Sequence, residues 1–79
     1  MRVISSDNTI SISYENSFLC VVEEDNSENS FHIAVRTPSL QTYMPLATYN
    51  TKEEAMAEFK RMIEFASSII GANSIFYLR

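Results

Sequence analysis

The sequence is poor in the residues on which most chemical sites depend. Among its 79 residues there are one glycine, one histidine, one cysteine and two prolines. Because phosphate-binding loops need several glycines close together, nucleotide binding of the Walker or Rossmann type is excluded. The lone cysteine, Cys20, allows neither an internal disulfide nor a cysteine-based zinc site, and it indicates a reducing compartment. We therefore expect a cytoplasmic protein without a metal or cofactor.

Long apolar runs are also missing. No stretch approaches the roughly 18 apolar residues of a membrane-spanning helix, and the segment from Met1 to Asp7 is too short for a signal peptide. Acidic residues outnumber basic ones by 10 to 6, which gives a net charge of -4. The missing apolar runs lead us to expect a soluble protein. Since the negative charge repels phosphate backbones, we also expect no direct binding to nucleic acid. The charge fits a basic protein partner, or solubility alone.

The remaining composition is that of a globular domain. Hydrophobic residues make up 46% of the chain and charged residues 20%, without low-complexity tracts or repeats. A chain this short has room for one hydrophobic core, and that core supplies little net stability. We predict a single α+β domain covering residues 1–79.

The first half of the chain has the patterns of strands. Residues 2–5 and 9–14 flank Asp7-Asn8, a pair that suits a tight turn, and together they predict a β-hairpin. Residues 18–22 are apolar on both faces. This pattern predicts the central strand of a sheet that is covered on both sides.

Two further strands precede the helix pattern. Residues 31–36 alternate between apolar and polar, which places His32 on the outer, solvent-facing side of its strand. Residues 43–49 form the next candidate. Pro45 lies inside this segment and indicates either an edge strand or a strand that starts later, near Leu46.

A single long helix is predicted after residue 50. Thr51 and Glu54 have the spacing of a capping box, and Gly71 suits a helix end at about Ile70. Charged side chains are predicted off the apolar stripe, at Glu58, Lys60, Arg61 and Glu64. The stripe itself, which should pack on the sheet, consists of Ala55, Phe59, Met62, Ile63, Ala66, Ile69 and Ile70.

Residues 74–79 favour a final strand, which either returns to the sheet or pairs with another chain. The element order is therefore β-β-β-β-β-α-β. It predicts an antiparallel β-sheet of five or six strands with one long helix packed on a face. One helix can cover only one side of this sheet. We therefore predict that a second copy of the chain covers the other side, in a two-fold homodimer.

The residue pattern does not favour catalysis. His32 has no second ligand at metal-binding spacing, and Cys20 lies in the most apolar strand, where burial suppresses the reactive thiolate. We predict a protein that is not an enzyme, with no catalytic, cofactor-binding or metal-binding residues. The alternative is a small enzyme or ligand-binding domain that uses Cys20 or His32.

An acidic segment from Glu23 to Ser30 contains no apolar residue. It predicts a loop whose carboxylates are solvated, or one that mimics the phosphates of a nucleic acid and occupies a basic groove of a partner. The candidate partner-binding residues are Glu23, Glu24, Asp25 and Glu28.

Both ends of the chain and the entry to the helix have a recognisable pattern. It consists of Met1-Arg2-Val3-Ile4-Ser5, Asp7, Tyr14-Glu15 and the run from Ala47 to Ala55. In these residues the chain resembles a family of small uncharacterised proteins from phages and other mobile elements of Gram-positive bacteria. Members of that family usually have a glycine and a proline where this chain has Asn8 and Ser13.

This resemblance implies a setting rather than an activity. Small acidic proteins of mobile elements often bind host machinery in the bacterial cytoplasm. We therefore expect a noncatalytic protein-binding accessory protein of a phage or mobile element, with a protein partner such as a host defence protein. The alternative is an inhibitor of a bacterial defence nuclease, like an anti-CRISPR protein, that acts through its acidic surface.

Overall fold

A computed structural model describes residues 1–24, 30–36, 43–68 and 74–79. Within these ranges the chain has an α+β fold, and the order of the six strands and one helix found there is the predicted one. The elements are β1 (Arg2–Ile4), β2 (Ser11–Ser13), β3 (Phe18–Glu23), β4 (Phe31–Arg36), β5 (Tyr43–Tyr49), α1 (Lys52–Ser68) and β6 (Ile75–Tyr77).

The described strands form two sheets of three strands each, so the prediction of one sheet of five or six strands is wrong. Sheet I has the order β2-β1-β6, and sheet II has the order β3-β4-β5. The last strand pairs with β1 in parallel, while the other pairs are antiparallel. Alternation in a sequence fixes which residues share a face but not which strands are neighbours. The change from sheet I to sheet II between β2 and β3 is therefore not visible in the alternation of the sequence.

The hairpin β1–β2 forms as predicted around Asp7-Asn8. Asn8 has a φ of 63°, in the left-handed region that asparagine tolerates. The Ser5 hydroxyl oxygen accepts from the Thr9 and Ile10 amides at 3.1 and 3.0 Å. Hydrogen bonds from the Thr9 and Ser5 hydroxyls lower the pKa of Asp7 to about 2. The turn is thus held by its own side chains.

In sheet II the central strand is β4, not β3 as predicted. β3 has apolar residues on both faces because one face joins the core and the other carries Phe18, which is 69% exposed. β5 is the other edge, which confirms the edge position indicated by Pro45. The register between β4 and β5 shifts beside Ala34, so that Pro45 pairs with Ala34 and Ala47 with Ile33.

Helix α1 begins as the capping pattern predicts. The Glu54 amide donates to the Thr51 hydroxyl at 3.1 Å, which satisfies one of the free amides of the first turn. The predicted helix end at Ile70 and the Gly71 cap lie outside the described residues. Glu58, which was predicted to lie off the apolar stripe, is nevertheless buried.

One core connects both sheets with α1. Val3 from sheet I, Ile33 from sheet II and Met62 from α1 are fully buried in the same cluster. The sheets also meet through the backbone, where the Ser6 amide donates to the Leu46 carbonyl at 3.0 Å. The helix therefore packs on the inner face of sheet II, beside β3, β4 and β5.

Candidate strand-acceptor site

The free side of β3 carries unpaired backbone groups. In an antiparallel pair, residues alternate between positions whose N–H and C=O face the partner and positions whose groups face away. The Glu24 amide donates to the Ser30 carbonyl at 3.1 Å, so even-numbered residues of β3 face β4. The groups of Leu19, Val21 and Glu23 face the opposite side, where none has a backbone partner among the described residues. We call these residues the β3 edge.

The outer edge of sheet I is treated differently. On β6, the Tyr77 carbonyl and the Arg79 amide point away from β1. Arg61 Nη2 donates to the Tyr77 carbonyl at 3.1 Å, and the Arg79 amide donates to Glu58 Oε2 at 2.9 Å. Side chains of α1 thus occupy positions that a neighbouring strand would otherwise fill.

The Glu58–Arg61 pair that covers β6 is strongly held. Arg61 Nε donates to Glu58 Oε1 at 2.6 Å, and the guanidinium lies 4.4 Å from the centre of the Phe76 ring. Burial raises the pKa of Glu58, but hydrogen bonds from Arg61 and the Arg79 amide outweigh it and leave that pKa below its ordinary value. Burial and the nearby Glu58 charge raise the pKa of Tyr49 to about 12.

The two remaining edges are also protected. β5 contains Pro45, which has no N–H to offer, and its Leu46 carbonyl already accepts from Ser6. β2 is only three residues long. Arg2 Nη2 donates to the Ser11 carbonyl of that strand at 3.0 Å. Among the described strand edges, the β3 edge is thus the one without such protection.

An open apolar groove follows α1 and borders the start of β3. It consists of two adjoining pockets, of about 350 and 610 Å³, that share Phe59 and Ile63. The first pocket reaches the start of β3, and the second follows α1 toward its N-terminus. We define the α1 groove by Phe18, Leu19, Met56, Phe59, Met62 and Ile63.

Large apolar side chains of the α1 groove remain in contact with solvent. Met56 is 46% exposed, Ile63 is 40% exposed, and Phe59 is only partly buried. Single exposed apolar residues are common, but several around one groove are typical of an interaction surface. The amphipathic pattern of α1 is thus wider than the part of it that packs on the core. The surplus lies beside the β3 edge.

His32 lies on the other face of sheet II, in register with Val22 and Thr48. Sequence analysis placed it on the solvent side, but it is only 7% exposed. One ring nitrogen lies 2.9 Å from the Thr48 hydroxyl and the other 2.9 Å from Glu24 Oε2. Both nitrogens have partners, which explains how a strand can bury this polar side chain.

Two of the four candidate residues of the acidic segment, Glu23 and Glu24, lie at the end of β3. Glu23 is exposed, whereas Glu24 contacts His32. Asp25 and Glu28 lie outside the described residues, so the loop itself stays a prediction. Cys20 is half-buried, and its thiol lies 3.8 Å from the Ala34 carbonyl. Within the described residues, Cys20 and His32 are not hydrogen-bonded to each other.

No protein-family model matches this chain, and neither the curated proteins nor the solved structures contain a match to it. Within the described ranges, no cluster of three or more His, Cys, Asp or Glu side chains could hold a metal ion. No helix in the described part of the chain has the length and apolar character needed to cross a bilayer.

Proposed function

We propose that this protein is a noncatalytic protein-binding module that receives an extended segment of a partner along the β3 edge. The observation that supports it is the combination of free backbone groups at Leu19, Val21 and Glu23 with an open apolar groove beside them. Strand addition uses the same two components, since backbone hydrogen bonds give affinity and pockets for alternate side chains give specificity.

The direction of the side chains supports the pairing of edge and groove. Leu19 and Val21 belong to the face of sheet II that packs on the core. Residues of an added strand that lie directly opposite them would share that face. Their side chains would enter the α1 groove, where Phe59 and Ile63 expose apolar surface. Burial of that surface would add to the backbone hydrogen bonds.

The genomic setting belongs to the proposal as well. The resemblance in sequence implies an accessory protein of a phage or mobile element, and a strand-binding module would serve that role by attaching to a host protein. Inhibition of a defence nuclease is a narrower form of the same hypothesis. It requires that the captured segment belong to such a nuclease.

The proposed function can be tested by removing one backbone donor at a time. Ligation at Cys20 gives access to synthetic chains that are N-methylated at Val21 or at Val22. The probe is the neutral peptide acetyl-Thr-Thr-Val-Thr-Val-Thr-amide, titrated by NMR. Methylation at Val21 removes a donor of the β3 edge, so the fold should persist while peptide binding is lost.

Methylation at Val22 is the matched control, because that amide faces β4. It should lower the stability of the fold, since it removes a hydrogen bond of the ladder. If the peptide binds equally well to the chain methylated at Val21, strand addition at this edge is wrong. The same conclusion follows if the peptide leaves the β3 amide signals unchanged.

A further inference from the structure

We infer that the captured segment runs antiparallel to β3 and has the pattern basic-x-apolar-x-apolar from its N-terminus. This inference rests on the proposed strand-acceptor function and names the chemistry of its ligand. The ligand is a segment of a foreign protein with a lysine or arginine at one end, and the charge distribution along the groove favours it.

The groove has an apolar end and an acidic end. At the apolar end, Phe18 and Leu19 at the start of β3 share a pocket with Ile63 of α1. At the other end, Glu23 pairs with Phe31, and Phe31 pairs with Tyr49. Helix α1 begins just after Tyr49. Helix and strand therefore run in opposite directions along the groove. Glu23 and the first turn of α1 lie at the same end of sheet II.

Two exposed carboxylates belong to that end. Glu23 ends β3, and Glu53 lines the pocket along α1. Neither has an ion-pair partner among the described residues, while Lys60 of the same pocket pairs with Glu64 at 3.8 Å. At the other end, Glu15 pairs with the Met1 ammonium. Glu23 and Glu53 are thus carboxylates of the groove without an ion-pair partner among the described residues, and they favour a basic ligand residue at this end.

The faces of the strand fix where that basic residue sits. Glu23 shares a face with Leu19 and Val21, because alternate residues of a strand point to the same side. In an antiparallel ligand, the residue opposite Glu23 comes first, and the residues opposite Val21 and Leu19 follow at alternate positions. We choose the antiparallel direction because both pairs within sheet II have it. It yields the stated pattern.

A second copy of this chain fits the β3 edge less well. A two-fold pairing of β3 with itself, centred on Val21, would place Glu23 of one copy opposite Leu19 of the other. Each chain also carries a net charge of -4, so two copies repel each other. A basic segment removes both problems.

Three peptides of matched length test the inference by NMR titration at low salt. The first is acetyl-Lys-Thr-Val-Thr-Val-Thr-amide, and the second, acetyl-Thr-Val-Thr-Val-Thr-Lys-amide, is the reversed sequence, with lysine at the other end and on the same face as the valines. The neutral peptide described above is the third. We expect the first to bind about fivefold more tightly than the other two. Replacing Glu23 and Glu53 by glutamine should remove this difference, whereas the control Glu64→Gln should keep it.

The outcomes separate the two proposals. If all three peptides bind equally at the β3 edge, the proposed function survives and the charge pattern is wrong. Tighter binding of the second peptide would reverse the assigned direction. If none of the three changes the β3 amide signals, the strand-acceptor function itself fails. Protection of those amides that grows with protein concentration alone would identify a second copy as the occupant and overturn the inference.

Discussion

Truncation of Met62 and of Phe59 should have unequal effects on stability, because the two side chains have different surroundings. The apolar stripe alone predicts a cost of about 3 kcal/mol for Phe59→Ala. In the structure Met62 is fully buried, whereas Phe59 is partly buried and lines both pockets of the α1 groove. We therefore assign about 3 kcal/mol to Met62→Ala and about 1.5 kcal/mol to Phe59→Ala.

The larger cost is a major share of the total, since a chain of this length is stabilised by roughly 4 to 12 kcal/mol. Urea denaturation followed by circular dichroism measures both variants against the unaltered chain. Met62→Ala should give the lower midpoint, and Phe59→Ala should remain folded at 25 °C. If Phe59→Ala costs as much as Met62→Ala or more, Phe59 belongs to the core and the groove is not open as described.

Three further predictions concern charge and assembly. The pKa of Glu58 lies below its ordinary value of 4.5, so its contribution to stability is complete above about pH 5 and is lost as the pH falls through the folded pKa. Glu58→Gln should flatten the pH profile of the urea midpoint in that range, and parallel profiles would contradict this. The predicted homodimer should sediment at micromolar concentration as a species heavier than 9.0 kDa, and a single 9.0 kDa species would refute the dimer. A four-fold glutamine variant should keep the urea midpoint but weaken binding of a basic partner, and unchanged affinity would rule out a role for these acidic residues: Glu23, Glu24, Asp25 and Glu28.

Local patterns were sufficient to predict most elements of this fold. The turn at Asp7-Asn8, the Thr51 cap and the strand that contains Pro45 each depend on chemistry within a few residues, and each is present. The pairing of β6 with β1 depends on residues at opposite ends of the chain. Periodicity carries no information about such contacts, so the division into two sheets could not be predicted.

The burial of two polar side chains was also not predicted from the sequence. His32 was assigned to solvent because a polar residue at an alternate strand position is usually exposed, and Glu58 was placed off the apolar stripe without a partner being named. Both are buried, since Glu24 and Thr48 satisfy His32, and Arg61 satisfies Glu58. These partners come from neighbouring segments or from within one helix turn. Of these contacts, only Glu58 with Arg61 has a helical spacing, three residues apart, that the sequence could have indicated.

The candidate site was missed for a related reason. Apolar residues on both faces of β3 were taken to indicate a central strand, whereas a strand at an edge beside an unfilled groove gives the same pattern. The acidic residue at its end, Glu23, was predicted as part of a partner-binding loop. In the structure it ends the β3 edge, where its charge contributes to the proposed recognition.

Amide hydrogen exchange along β3 tests the central claim most directly. In the free protein, the amides of Cys20 and Val22 should exchange slowly because they face β4, while those of Leu19, Val21 and Glu23 should exchange quickly. Addition of the peptide acetyl-Lys-Thr-Val-Thr-Val-Thr-amide should slow exchange at the odd-numbered positions and leave the even-numbered ones unchanged. Slow exchange at Leu19 and Val21 in the free monomer, or no change at these positions when the peptide is bound, would contradict the strand-acceptor site.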